Sequence, residues 1–190
     1  MIKFLPGIEM CFSILSAYII VVNGRFYLFI NYRQAARLGH VGWGLRFADG
    51  KTCLFGSTDH LYRHHWWDLP GWIDYMYVPQ GKNNDWWSAL GSESDMYRAM
   101  STCGPHIWYH DCKVVEVEQF YAEAAVEFAM SLKTAGWSVL NNNCVQQTYE
   151  IARIYGSGEK VPSPWRNSLL LVPRLWYPQV EGSPVLLNSL

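Results

Sequence analysis

The sequence carries no excess of charge of either sign. Its 15 Lys and Arg stand against 16 Asp and Glu, a formal net charge of −1 with the charges scattered, which excludes the basic face that holds a nucleic-acid partner. It has no cysteine framework either. Five cysteines (Cys11, Cys53, Cys103, Cys112, Cys144) are an odd number at irregular spacing, pointing to reduced thiols inside a cell rather than to a stapled secreted domain. Long apolar runs are also missing: residues 10–22 are interrupted by Ser13 and Ser16 and fall short of a bilayer span. No cleavage-site pattern of small residues follows them. The expectation is a cytoplasmic protein without an integral membrane segment. There is no internal repeat and no low-complexity tract, and nothing in the sequence fixes an oligomeric state.

What is abundant is aromatic side chain. Ten Trp and twelve Tyr in 190 residues exceed what a core of one domain needs, so some are expected to line a cleft. Asn23-Gly24 between residues 17–22 and 25–32 is a type I′ hairpin signal. A second hairpin is expected over residues 40–47 and 51–55, turning at Asp49-Gly50, with His40 opening it. From about residue 57 to 111 periodicity is lost among Trp, His, Pro and Gly. This stretch reads as an aromatic-rich insertion or lid containing a short helix over 93–100.

Residues 113–118 alternate as a strand does. Residues 119–135 form an amphipathic helix with Phe120, Ala124, Phe128 and Leu132 on its apolar side, closed near Gly136. Residues 137–140 are β-like. Asn141-Asn142-Asn143 then supplies N-cap chemistry for a helix over 144–155, with Gly156 ending it. Five prolines break up residues 157–190, predicting an irregular tail around a single domain spanning 1–190.

That last helix begins at Cys144. A thiol reacts as thiolate, and the amides and dipole at a helix N-terminus favour negative charge there. The same amides can receive the oxyanion of an acyl substrate. The plainer reading of the position is a small residue buried in a first turn.

Trp137-Ser138-Val139-Leu140-Asn141-Asn142-Asn143-Cys144, continuing to Arg153-Ile154-Tyr155-Gly156, resembles the strand, Asn-Cys and helix segment of lecithin-retinol acyltransferase-like proteins and other permuted papain-like enzymes of the NlpC-type superfamily. In those families a histidine opens an earlier strand, followed by a Gly-containing turn and a second strand. His40-Val41-Gly42-Trp43-Gly44-Leu45 with Asp49-Gly50 is similar in type and order. The resemblance covers roughly residues 38–56 and 112–156. It implies an α+β, permuted papain-like fold: an antiparallel sheet packed on helices, with Cys144 as nucleophile at a helix N-terminus and His40 as its base.

Two features differ from the acyltransferases. Val145 and Gln146 replace the Glu-His that follows the cysteine there, and no second histidine follows His40 to orient it. A hairpin folded symmetrically about Asp49-Gly50 places Asp59 opposite His40 with Ser57 near it on the same face, making Asp59 the candidate orienting residue. A backbone carbonyl is the alternative. Trp43, Asn143, Trp66 and Trp67 are candidates for the substrate cleft, and Trp86-Trp87 is a second aromatic pair able to border it.

Cys103, His106, His110 and Cys112 bring four metal-competent side chains close together but match no zinc spacing, so neither a metal nor another cofactor is expected. His60, His64 and His65 read as surface or substrate-facing side chains. The expected function is a cysteine hydrolase of peptidase or amidase type acting on a peptide, amide or acyl substrate through an acyl-enzyme. The alternatives are a lipid-type acyltransferase and a non-catalytic binding module on the same fold.

Overall fold

The computed structural model describes residues 23–60, 76–102 and 108–187. β1 (Gly24–Asn31) is apolar on both sides, because both of its faces are covered. Phe26, Leu28 and Ile30 point to one side, Tyr27 and Phe29 to the other. β1 pairs antiparallel with β2 (His40–Arg46) and with β6 (Asp111–Val117). The first arm of the N-terminal hairpin signal lies outside the described residues.

β2 turns into β3 (Thr52–Thr58) at Asp49-Gly50, as the sequence predicts. The Gly50 amide donates to Phe47 O at 3.0 Å, and Asp49 Oδ1 accepts from the Lys51 and Thr52 amides at 2.9 and 2.8 Å. Gly50 itself takes a φ of 68°, where a side chain would be strained. Trp43 pairs with Gly56 and Leu45 with Leu54, so the register is symmetric about the turn without a bulge.

The stretch between 57 and 111 is not wholly laid over the sheet. β5 (Trp86–Ser92) pairs along the whole of β3 and extends the sheet, and β4 (Tyr77–Val78) pairs with β7 (Trp137–Ser138). α1 (Glu93–Ser101) follows β5, started by a Ser92–Asp95 capping box, and buries Met96 and Met100. Local periodicity hides β5 because it is an edge strand of mixed burial.

α2 (Ala122–Ser131) buries Ala122, Ala125 and Ala129, followed by Leu132, while Ala124 faces solvent. The expected four-residue steps drift off a face that repeats every 3.6 residues. α3 (Cys144–Tyr155) is capped at its start by Asn143 and at its end by Gly156. There φ is 112°, and a Cβ would lie 2.4 Å from Gln119 O.

The tail is also more regular than its prolines suggest. Pro173–Trp176 makes one helical turn (α4) that buries Trp176, whose indole donates to Pro162 O at 2.7 Å. β8 (Ser183–Leu186) pairs with β6. The completed antiparallel sheet runs β5-β3-β2-β1-β6-β8. The chain is thus a mixed α+β fold. One apolar layer joins Leu28, Val41 and Leu45 to Val145 and Ile151 of α3, and the other joins Phe29, Phe55 and Cys112 to Met96 and Met100 of α1. Among the described residues no helix is long and apolar enough to cross a membrane.

Candidate active site

His40 is the first residue of β2 and Cys144 the first of α3, and α3 packs against β1 and β2. Strand alternation sends His40 to the face shared with Ser57, while α3 lies on the opposite face with Val41. Both side chains nevertheless line the same cleft, and the Cys144 thiol and the His40 imidazole act on each other's ionisation. His40 Nε2 lies 2.8 Å from Ser57 Oγ and 3.6 Å from Asp59 Oδ1, which leaves Nδ1 as the nitrogen for the thiol. Ser57 Oγ donates to Val41 O at 3.3 Å, so toward His40 it accepts from Nε2–H.

Asp59 is fully buried, and Trp87 Nε1 donates to its Oδ2 at 2.7 Å. One carboxylate oxygen is thereby held by the indole while the other faces the histidine. The Tyr109 ring lies over His40 at a centroid distance of 6.1 Å. It can do so because Gly42 has no side chain: a Cβ there would lie 2.7 Å from Tyr109 Cζ.

Burial opposes charge on both members of the pair, but their mutual attraction outweighs it. The imidazole is raised above the ordinary histidine range and the thiol is lowered below the ordinary cysteine range. Asp59 adds to the first shift, and the backbone at Val41 and Val145 adds to the second. Both shifts run in the direction that favours the charged forms, thiolate and imidazolium.

Asn143 borders the same cleft and holds the helix start in place. Its Oδ1 accepts from the Val145 and Gln146 amides at 3.0 and 3.2 Å, and its Nδ2 donates to Val139 O at 2.9 Å and Leu171 O at 3.2 Å. This cap narrows the expected oxyanion site, since two helix amides are already engaged. The Cys144 amide makes no hydrogen bond among the described residues and is the donor left for an oxyanion. Thr58 Oγ1 donates to Gln147 Oε1 at 2.6 Å, tying the end of β3 to the first turn of α3.

The cleft has a volume of about 260 Å³. Besides His40 and Cys144, its walls are chiefly apolar: Leu38, Val139, Leu140, Leu171 and Pro173. Three of the sequence candidates stand elsewhere. Trp43 is 2% exposed and belongs to the core, because strand alternation turns it under α3. Trp86 packs on one apolar layer and Trp87 on the other, so neither borders the cleft. Trp66 and Trp67, like His64 and His65, lie outside the described residues. His60 is buried against Trp137 and within 3.7 Å of Asp85 rather than at the surface.

No protein-family model, curated protein or solved structure matches the chain. The site therefore rests on its own geometry.

Of the rival cluster, Cys103 and His106 lie outside the described residues. His110 Nδ1 accepts from the Tyr32 amide at 3.2 Å, and Cys112 is fully buried with its thiol toward Lys113 O. Among the described residues no group of three His, Cys, Asp or Glu could hold a metal, and Cys53, Cys112 and Cys144 are free thiols. Sequence reasoning missed Trp87 as the holder of Asp59. The signal for it, the Ser57–Trp87 strand pair, becomes visible only once β5 is placed. It also missed the wall contributed by the tail.

Proposed function

We propose that the chain is a cysteine-dependent hydrolase of peptidase or amidase type, with a permuted papain-like arrangement and Cys144 as nucleophile. The observation that carries this reading is Cys144, first residue of its helix, lining one cleft with His40, whose Nε2 lies 2.8 Å from Ser57 Oγ and 3.6 Å from Asp59 Oδ1. The thiolate attacks the substrate carbonyl carbon, and the resulting oxyanion accepts from the Cys144 amide. His40 gives its proton to the leaving amine as the carbon–nitrogen bond breaks, forming the acyl-enzyme. Neutral His40 then takes a proton from water, whose oxygen attacks the thioester carbon. The acid leaves and the thiolate–imidazolium pair is restored. Ser57 and Asp59 keep the imidazole oriented through both steps.

The apolar walls favour a hydrophobic acyl group, and an acyltransferase would differ only in the acceptor that replaces water. The test is time-resolved chloroacetamide labelling of the folded protein at pH 6.5, read by peptide mass. Cys144 is expected to react about 100-fold faster than Cys53 and Cys112. Equal labelling of the three would favour a non-catalytic binding module and defeat the proposal.

A further inference from the structure

Beside the cleft, on the other side of one backbone junction, lies an open basin of about 400 Å³ bounded by Tyr32, Arg33, Arg37 and Arg174. The junction is tight. The Arg174 amide donates to Leu38 O at 3.0 Å, and a Cβ on Gly39 would lie 3.2 Å from Arg174 N. Each of the two segments faces both ways: Leu38 and Pro173 line the cleft of Cys144, while their neighbours Arg37 and Arg174 line the basin. Ala35, Ala36 and Arg37 have φ of 50°, 53° and 70°. Such left-handed backbone is strained for non-glycine residues and is over-represented at functional sites.

The three arginines of the basin are exposed. Arg33 lies over the Trp108 ring at 5.9 Å, Trp108 stacks on His110 at 5.8 Å, and Arg174 Nη1 donates to Arg37 O at 3.5 Å. Among the described residues no carboxylate forms an ion pair with any of the three arginines. The nearby Asp111 acts on the Tyr32 hydroxyl, helping to raise its ionisation. Three guanidinium groups border one basin, and their planar forks suit carboxylate or phosphate oxygens.

We propose that this basin is an anion-binding subsite that takes a carboxylate or phosphate group of the molecule whose acyl carbon is presented to Cys144. The inference rests on the hydrolase reading for the second half of that statement and on the basin alone for the first. A substrate fitting both would be an amide or ester with a hydrophobic acyl portion and a negative group a short distance from the bond that is cleaved.

The test is titration of the full chain with inorganic phosphate and with acetate, followed by calorimetry and by ³¹P line width. It is run on the wild-type protein, on Cys144→Ala, and on the double variant Arg37→Gln/Arg174→Gln checked for fold by circular dichroism. Millimolar binding that persists in Cys144→Ala and weakens at least about tenfold in the double variant supports the site. Absence of binding below about 10 mM, or binding that the double variant keeps, overturns it. Flotation with phosphatidic acid vesicles in a phosphatidylcholine background separates the sources of the anion. Vesicle binding lost in the double variant assigns the group to a lipid, whereas phosphate binding without vesicle binding assigns it to a soluble molecule. Because the readout is binding and not turnover, an inert Cys144 and an empty basin are distinguishable failures.

Discussion

Cys112 and Cys144 are both buried thiols, one on each side of the same sheet, and they differ in everything that decides reactivity. Cys112 lies in the layer with Phe29, Phe55 and Met96. Burial pushes its ionisation well above the ordinary range, and the negative charges of Glu93 and Asp111 reinforce this. Burial presses on Cys144 in the same direction, yet its thiol is lowered, chiefly by the neighbouring His40 imidazole and then by the backbone at Val41 and Val145. Burial alone silences a cysteine; a cation held against it in a place that water reaches poorly does the reverse.

The largest change expected to break this contrast is His40→Ala. With the cation gone, only the helix terminus and the amides still favour the thiolate. Alkylation of Cys144 at pH 6.5 is expected to slow about 100-fold, within the range a positioned acid or base contributes. A rate that stays put would mean that the helix terminus alone activates the thiol.

The pH profile sharpens the contrast further. Because the Cys144 ionisation is lowered, its alkylation rate should persist as pH falls from 9 to neutrality, while that of Cys53, pushed up to about 11 mainly by burial, should already be lost. Because the His40 ionisation is raised, turnover should decline on the alkaline side where the imidazolium loses its proton, and on the acid side where the thiolate gains one. A single rise near the free-thiol value would rule out the ion pair.

A smaller effect is expected from the residues behind the histidine. Ser57→Ala and Asp59→Asn should each lower kcat about tenfold with KM little changed, since a buried hydrogen bond to a charged group contributes about 1.5–3 kcal/mol. Ser57→Ala should be the more severe if the 2.8 Å contact orients the ring, and Asp59→Asn if the carboxylate does. The smallest effect belongs to the other thiol. Cys112→Ala should lower the thermal midpoint by an amount equivalent to about 1 kcal/mol through the cavity it leaves, with no change in Cys144 labelling.

The sequence made the two ends of the site legible for physical reasons. An Asn-rich segment before a cysteine and a glycine at the far end define one helix, and Asp49-Gly50 defines one hairpin whose symmetry brings Asp59 to His40. These are local rules acting over a few residues. What stayed hidden was set at long range. Trp87 reaches Asp59 only because β5 pairs with β3 across a stretch of irregular sequence, and Trp43 left the cleft because a strand alternates faces. The prolines of the tail mark breaks in regular structure but say nothing of where the pieces between them dock. Leu171 and Pro173 against Cys144, and β8 against β6, were therefore invisible.

The position of that tail has a consequence for the life of the chain. The sulfur comes from residue 144, its cation from residue 40, and the wall of the cleft from residues near 171, so no growing chain holds all three until most of it has been made. Until then Cys144 is chemically like its four siblings, protonated at neutral pH and slow to react. On the proposed hydrolase reading, nucleophilic character therefore arrives only with completion of the fold.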